Sequence, residues 1–487
     1  MELIPKEILT EILTRLDSDE LYVAQFVCRE WMMSIKILMP KFIEKCTYSD
    51  AIAAKGYLNV LVWAYQNGYE LDEQAYYSAA YGGHLDVLTW LQQNNCPCEW
   101  DVDVDSDGHI YGSNYEMCYS AARGGQLEVL KWAITLGYGL NSTICAIAAE
   151  KGHFDILKWA RENGCEWNNL TCSSAAEEGH FDILKWAHEN GCPWDEKTCS
   201  LAALNGHFDI LKWAHENDCS WDEKTCANAA QNGHFDILKW ARENNCPWDK
   251  QTCAKAALNG HFDILKWAHE NNCSWNKETC SNAARRGHLD ILIWLLQNNC
   301  PWNEYICGDV ACDGHLDILM WLHQNNYPCN KCTCEGAAYG GHLDILIWLH
   351  QNNYPWNKHT CTCAANGGHF DILIWLRQNN CPWDAHVCEK AAEIGHFEML
   401  KWAHQNGCPW NEKICCVAAR HKRLDILLYA IENGCGENRL THLNAISVFL
   451  NGANDNIFPW HYFSYNYEYA IFDFINWICK NGWSNYM

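Results

Sequence analysis

Apolar and polar positions along most of this chain follow a pattern of short helices separated by polar turns. In residues 197–223, Cys199 and Ala202-Ala203 form a narrow apolar stripe, and the segment Phe208–Ala214 carries apolar residues at helical spacing. Gly206-His207 separates the two stretches, and Asp218 follows the second. The pattern predicts two helices, with Thr198 capping the first and a residue in the left-handed conformation near Asp218 ending the second. No strand is predicted.

The two-helix pattern recurs every 27 residues, which makes the chain a repeat array. Ten glycines mark this step without interruption: Gly152, Gly179, Gly206, Gly233, Gly260, Gly287, Gly314, Gly341, Gly368 and Gly395. Counting outward gives 14 units, and a degenerate fifteenth lies at Phe472–Trp477. Two short helices cannot bury their apolar faces alone, whereas stacked copies can. The sequence therefore predicts an all-α solenoid.

Three regions follow from where the pattern holds. Residues 1–47 do not follow it and are predicted to form a small three-helix module. Residues 48–435 carry the repeat, with an insertion at about residues 98–113. Residues 436–487 break the pattern, and we expect them to hold a degenerate terminal repeat and a C-terminal cap that closes the core.

The repeat unit resembles the ankyrin repeat. Cys199 falls on the position of that family's core Leu, Ala202-Ala203 on its Ala pair and Gly206-His207 on its Gly-His. The unit is shorter than the family's, by the residues of its β-hairpin finger. The resemblance implies a groove lined by first helices and a His that ties neighbouring turns by hydrogen bonds. The Trp- and Cys-rich units look like the arrays of giant DNA viruses such as mimivirus.

The first residues of the chain carry an apolar pattern of their own. Ile8, Leu9, Ile12, Leu13 and Leu16 lie at helical spacing and form one face. This region resembles an F-box, on the following matches in order: Ile4, Pro5, Ile8, Leu9, Ile12, Leu13, Leu16, Val27 and Trp31. The resemblance implies docking on the Skp-type adaptor of a cullin–RING ubiquitin ligase. The alternative is a helical cap for the solenoid, which also needs apolar helices.

Charge excludes several classes of partner. The chain has 35 basic and 60 acidic residues, a formal charge of -25. Neither nucleic-acid phosphates nor an anionic membrane is expected to bind such a protein. No apolar run approaches the roughly 18 residues of a membrane span, and the N-terminus lacks a signal-peptide pattern. We expect a soluble intracellular monomer, and the resemblance to giant-virus arrays implies the cytoplasm or nucleus of an infected host cell.

The 31 cysteines are spaced by the repeat, and this spacing favours packing over chemistry. Equivalent cysteines in adjacent units would lie about 10 Å apart, beyond disulfide reach. Cys329 and Cys332 have the spacing of a zinc-ligand pair, but no second pair lies at the usual separation. We therefore predict no cofactor and no metal, with these two residues as the best zinc candidates.

The insertion holds a weak calcium candidate. Asp103, Asp105 and Asp107 match the first three ligand positions of a calcium loop, and Gly108 matches its glycine. Position twelve is Asn114 instead of the bidentate Glu. An acidic solvated loop is the main prediction.

Two tryptophan series and the repeated His are assigned to structure. Trp213 represents a series expected in the core, and Trp221 a series expected to pin the shortened loop. The His after each glycine has no catalytic partner at fixed spacing. No phosphate loop, nucleophile elbow or paired catalytic carboxylates occur in the sequence. The sequence thus predicts that the protein is not an enzyme.

The pair of residues before each glycine changes from unit to unit, whereas the core positions barely vary. This variation indicates a target-binding face, although neutral drift of solvated positions is the alternative. Interface hot spots are enriched in Arg and Tyr, so we expect Arg285, Arg286 and Tyr339 to matter most. The predicted function is a substrate-recruiting adaptor of a cullin–RING (SCF-type) ubiquitin ligase. The alternative is an ankyrin-repeat scaffold that sequesters a host protein without a ligase role.

Overall fold

The computed structural model describes residues 48–66, 71–96, 103–104, 110–111, 115–303, 305–411 and 413–435. The F-box-like module and the C-terminal cap that the sequence predicts lie outside these residues. The described residues belong to two compact units. One unit comprises Met1–Ala256 and Glu270–Cys273, and the other comprises Ala257–His269 and Ser274–Met487.

The described residues form 28 helices, which alternate as the first and second helix of 14 repeats. The first helices are α1 (Tyr48–Ala54), α3 (Glu73–Gly82), α5 (Tyr115–Arg123), α7 (Ser142–Glu150), α9 (Asn169–Glu177), α11 (Glu196–Asn205), α13 (Glu223–Gln231), α15 (Lys250–Leu258), α17 (Lys277–Arg285), α19 (Ile306–Cys312), α21 (Cys332–Gly340), α23 (Lys358–Gly367), α25 (His386–Ile394) and α27 (Lys413–Arg420). The second helices are α2 (Leu58–Gln66), α4 (Leu85–Gln93), α6 (Leu127–Thr135), α8 (Phe154–Glu162), α10 (Phe181–Glu189), α12 (Phe208–Glu216), α14 (Phe235–Glu243), α16 (Phe262–Glu270), α18 (Leu289–Gln297), α20 (Leu316–Gln324), α22 (Leu343–Gln351), α24 (Phe370–Gln378), α26 (Phe397–Gln405) and α28 (Leu424–Glu432). The predicted helical-repeat solenoid is confirmed.

One feature of the insertion differs from the all-helical prediction. Strands β1 (Asp103–Val104) and β2 (Ile110–Tyr111) pair antiparallel, with Asp103 opposite Tyr111. Val104 and Ile110 are β-branched, and an Asp-Gly dipeptide lies between the two strands in the sequence. Both features favour a hairpin, so the sequence carries a local signal for these strands.

Small residues on the first helix and larger ones on the second build the core of each repeat. In the first unit, Cys199, Ala202 and Ala203 of α11 are completely buried, and α11 packs against α9 and α13. Ile210 and Leu211 of α12 are 1% and 0% exposed. Burying each of these two aliphatic side chains contributes about 1.5–3 kcal/mol. The repeat of α23 and α24 in the second unit has the same buried positions.

The residue that caps the first helix is not the one expected. α11 begins at Glu196, and the Asp195 carboxylate accepts a hydrogen bond of 3.1 Å from the Lys197 amide. Thr198 is buried, and its hydroxyl has no hydrogen-bond partner among the described residues. The prediction that Thr198 is the cap is therefore wrong, because Asp195, three residues earlier, already satisfies the first turn.

The predicted end of the second helix is confirmed. Asp218 has a φ of 64°, in the left-handed region, directly after α12 and its capping residue Asn217. Other repeats use asparagine at this point, as at Asn245, or glycine, as at Gly191. These residue types tolerate a positive φ better than others do, so the local sequence sets the turn.

Candidate target-binding surface

In most of the described repeats, a histidine forms a hydrogen bond to the repeat before it. The His207 ring Nε2 lies 3.0 Å from the backbone oxygen of Glu177, 30 residues earlier, and donates to it. The same contact is made by His84, His153, His180, His234, His288, His315, His342 and His369. In the last described junction, Arg423 donates instead, to the Ile394 oxygen at 3.1 Å. The tie expected from the ankyrin resemblance is confirmed.

The glycine that faces this histidine from the preceding repeat is required for two separate reasons. Gly179 has a φ of +80°, which L-residues rarely adopt. A Cβ atom placed there would also lie only 2.5 Å from Cε1 of His207. Gly179 and His207 thus pack against each other across the boundary between two repeats.

In many of the described repeats, two cysteines also contact each other. The Cys219 thiol, in the loop after α12, donates to the backbone oxygen of Asp195 at 3.4 Å. It also contacts Cys199 on α11. In the repeat of α7 and α8, the sulfurs of Cys145 and Cys165 are 3.4 Å apart. Contact with Cys219 and burial raise the pKa of the Cys199 thiol, so it stays neutral. This arrangement agrees with the predicted packing role, but the contact between cysteines 20 residues apart was not foreseen.

The zinc candidate is wrong. Cys329 forms a disulfide with Cys307, across a Cα–Cα distance of 5.6 Å, and therefore offers no thiolate. Nowhere in the described ranges do three or more His, Cys, Asp or Glu side chains cluster so that they could hold a metal ion. The two cysteines belong to one repeat, with Cys307 on α19 and Cys329 after α20, so the spacing of equivalent cysteines in adjacent units gives no sign of this pair.

The calcium candidate stays a prediction. Asp103 is part of strand β1, whereas Asp105 and Asp107 lie outside the described residues.

Aromatic side chains of the second helices and loops meet at the junctions between repeats. The Trp213 ring lies edge-on to Phe181 and to Trp194 of the preceding repeat, at 5.6 Å from each centroid. His188 stacks on Trp194 at 3.7 Å. Trp213 is only partly buried, so the expectation that this series lies in the core is corrected. The loop tryptophan is pinned between a histidine and the next repeat.

Some members of the variable pair before the glycine are structural. The Asn205 side-chain amide donates to the backbone oxygen of Glu177 at 2.7 Å, and the Asn232 side-chain amide donates to the backbone oxygen of Leu204 at 2.7 Å. These two residues connect adjacent first helices. Variation at this position therefore does not by itself identify a contact with a target.

The pair at 285–286 has a different environment. A cavity of about 460 Å³ in the second unit is lined by Leu258, Asn282, Arg285, Arg286, Asp313 and His315. The Arg285 side chain is 55% exposed, and its Nε lies 3.5 Å from the Asp313 carboxylate. Arg286 is exposed and has no ion-pair partner within the described part of the chain. Two of the three predicted contact residues thus meet at one cavity.

The third predicted contact residue is separate from this cavity. Tyr339 is 48% exposed and follows Arg285 by two repeats. It does not line the cavity, although its backbone oxygen accepts the hydrogen bond from His369. The importance of all three residues for target binding stays a prediction.

None of the helices in the described ranges is both long and apolar enough to cross a membrane. The predicted F-box residues Ile4, Pro5, Ile8, Leu9, Ile12, Leu13, Leu16, Val27 and Trp31 lie outside the described residues.

Two family models match the sequence. The model for the F-box domain matches residues 1–43, and the model for ankyrin repeats in many copies matches residues 172–215. A search of curated proteins finds no match.

Solved structures with some similarity are helical-repeat proteins. The pentatricopeptide repeat protein PPR10 from maize is 12% identical, with 94% of this chain and 79% of that chain covered at a TM-score of 0.34. Its complex with an 18-nt psaJ RNA element is 13% identical, with 93% and 79% covered at a TM-score of 0.38. The human ASB11 ankyrin repeat domain is 17% identical, with 39% and 85% covered at a TM-score of 0.22. Similarity at these scores carries no argument about function.

F-box domains and ankyrin repeats are both protein-interaction modules. The two family matches, together with the stacked helix pairs, support a protein-interaction adaptor built as an all-helical solenoid of ankyrin-type repeats.

Proposed function

We propose that this protein is a non-enzymatic, substrate-recruiting adaptor of a cullin–RING ubiquitin ligase. The observation that carries the proposal is the F-box match at residues 1–43, which directly precedes a repeat array beginning at Tyr48. One module would hold the Skp-type adaptor and the other would hold the target. The resemblance to giant-virus arrays adds that the targets are host proteins in the cytoplasm or nucleus of an infected cell.

The mechanism is proximity. A protein that holds the target and the ubiquitin-loaded partner on one chain raises their effective concentration, to about millimolar for short flexible connections. The chain itself makes and breaks no bond, and ubiquitin transfer is performed by the ligase. This division of work requires two binding surfaces on the adaptor and no catalytic group.

The ligase arm is tested by placing a charge on the apolar face of the F-box. Ile8→Asp and Leu9→Asp should each abolish co-purification with the Skp-type adaptor, because a buried unpaired charge is costly. Thr14→Asp is the matched control, since helical spacing places it opposite Ile8 and Leu9. Both apolar-face variants co-purifying as strongly as the unchanged chain would refute the ligase role.

The target arm is tested on the array. Proximity labelling with the full chain identifies captured host proteins, and replacing Arg285, Arg286 and Tyr339 together by Ala should reduce their capture. Arg420→Ala is the control, because Arg420 occupies the same place in its repeat as Arg285 and is also exposed. Capture unchanged within about twofold would place the target elsewhere on the chain. Capture that persists without any Skp-type adaptor binding would favour the sequestering scaffold.

A further inference from the structure

The cavity at Arg285 and Arg286 has a composition that no other repeat shares. Both members of its variable pair are basic, whereas Arg123 and Arg420 at the same register are followed by Gly124 and His421. The chain as a whole carries a charge of -25. Two adjacent guanidinium groups facing a cavity therefore mark one place where an acidic protein accepts an anion.

Neither arginine makes a short, strong ion pair with another described residue. The Arg285 Nε–Asp313 Oδ2 distance is 3.5 Å, longer than the roughly 2.7–2.9 Å of a charge-assisted hydrogen bond. Arg286 has no ion pair within the described residues. Both guanidinium groups can therefore turn to a ligand without first breaking a short, strong bond.

The backbone beneath the arginines is fixed. His315 Nε2 donates to the Arg285 oxygen at 2.8 Å, which connects the end of α17 to the start of the next repeat's second helix. A Cβ atom at Gly287 would meet the His315 ring at 2.8 Å, so little space remains there for the turn to shift. The two arginines thus extend from a well-supported turn, and the order needed for binding is partly present already.

We propose that this cavity binds a phosphoryl group on a side chain of the target protein. Each arginine offers five N–H donors, and a phosphoryl group offers three strong acceptor oxygens with a charge of about -1.5 to -2. Asp313 repels a dianion more than a single carboxylate, but the two guanidinium groups also attract the dianion more strongly, so the net attraction is larger for the dianion. Leu258 supplies an apolar wall against which the carbon stem of the modified residue packs. This inference rests on the proposed function only in assigning the ligand to the recruited target.

The size of the cavity agrees with this ligand. About 460 Å³ greatly exceeds the roughly 10–15 Å³ that a cavity needs to hold one water molecule. It accommodates a phosphoryl group together with its side chain and leaves room for bridging waters. A carboxylate of Asp or Glu would fill less of the space and would pair with fewer donors.

The test uses the full chain and three mixtures of short degenerate peptides that differ only in a fixed central residue. That residue is phosphoserine, glutamate or serine. We expect the phosphoserine mixture to be retained at least tenfold more than the other two, and inorganic phosphate to compete with it. Arg285→Gln and Arg286→Gln should each weaken retention by about 10- to 100-fold.

Arg420→Gln is the matched control and should leave retention unchanged, since it removes an exposed Arg at the same register outside the cavity. Helical signal and thermal midpoint report whether each variant is folded. Equal retention of glutamate and phosphoserine peptides, or retention unaffected by both cavity variants, overturns the phosphoryl site. Co-purification of the Skp-type adaptor is measured on the same samples. Its persistence separates failure of this inference from failure of the ligase proposal.

Discussion

Gly179 and Gly191 allow the contact between repeats to be separated from backbone strain. Both have a φ of +80°, one after α9 and the other after α10 of the same repeat. A Cβ atom at Gly179 would lie 2.5 Å from the His207 ring, whereas one at Gly191 would meet nothing within 4 Å. Replacing either glycine by Ala imposes the same left-handed backbone strain. Only Gly179→Ala also produces a collision, with the His207 ring.

The expected magnitudes differ accordingly. A left-handed Ala costs about 1–2 kcal/mol, and this is the whole effect expected for Gly191→Ala. Gly179→Ala also displaces His207 and breaks its 3.0 Å bond to the Glu177 oxygen. That carbonyl keeps its hydrogen bond from Asn205, so losing the one from His207 adds about 0.5–1.5 kcal/mol, and the total is about 1.5–3.5 kcal/mol.

The assay is urea unfolding of the full chain. Because long repeat arrays need not unfold in one step, native-state hydrogen exchange of α9 and α11 is measured as well, to locate the loss of stability. Gly191→Asn should be neutral, because asparagine already adopts this conformation at Asn245. In a His207→Ala background the collision is absent, so the two Gly→Ala substitutions should then cost the same. Equal costs in the presence of His207 would refute the reasoning.

Three further predictions follow from the buried polar groups and thiols. Asp195→Ala should cost about 1 kcal/mol in urea unfolding, whereas Thr198→Val should cost nothing, because only Asp195 caps α11; a larger loss for Thr198→Val would contradict this. Burial raises the pKa of the Cys334 thiol from 9.0 to about 12, so its stabilising contribution is complete below pH 9 and falls as the pH rises toward 12. Above pH 9 the unchanged chain should lose about 1.4 kcal/mol more stability per pH unit than Cys334→Val, in which the other buried thiols still titrate; the same pH slope in both chains would argue against it. Purified protein should carry no stoichiometric zinc. In intact-mass measurement, reduction should add the mass of two hydrogen atoms for Cys307–Cys329, the one disulfide among the described residues; several zinc atoms or many disulfides would disprove the packing role.

Features encoded by short local patterns were predictable. The 27-residue step, the helix break at Gly206-His207 and the left-handed Asp218 each depend on a few neighbouring residues, and the structure has all three. The cap was misplaced because Asp and Thr are both common capping residues. Side-chain geometry, which the sequence does not give directly, decided between Asp195 and Thr198.

Features that depend on contacts between helices were predicted only in part. Variation along the sequence identified Arg285 and Arg286, but it could not show that they share a cavity with Asp313 while Tyr339 does not line it. The same pattern gave no sign that Asn205 donates to a backbone oxygen 28 residues earlier. The Cys199–Cys219 contact was deducible in principle, because an antiparallel helix pair returns the chain to its starting end.

The acceptor of the histidine link has a consequence for how the array can change in length. It is a backbone carbonyl, at Glu177 in one junction and at Leu204 in the next, so its chemistry is independent of the side chain that carries it. If residues 180–206 were deleted, Gly179 would join His207, which could then donate to the oxygen that now serves His180. Every remaining histidine would find an equivalent acceptor. Gain or loss of whole 27-residue units is therefore a neutral step for this link, and the number of repeats is free to follow the size of the bound protein.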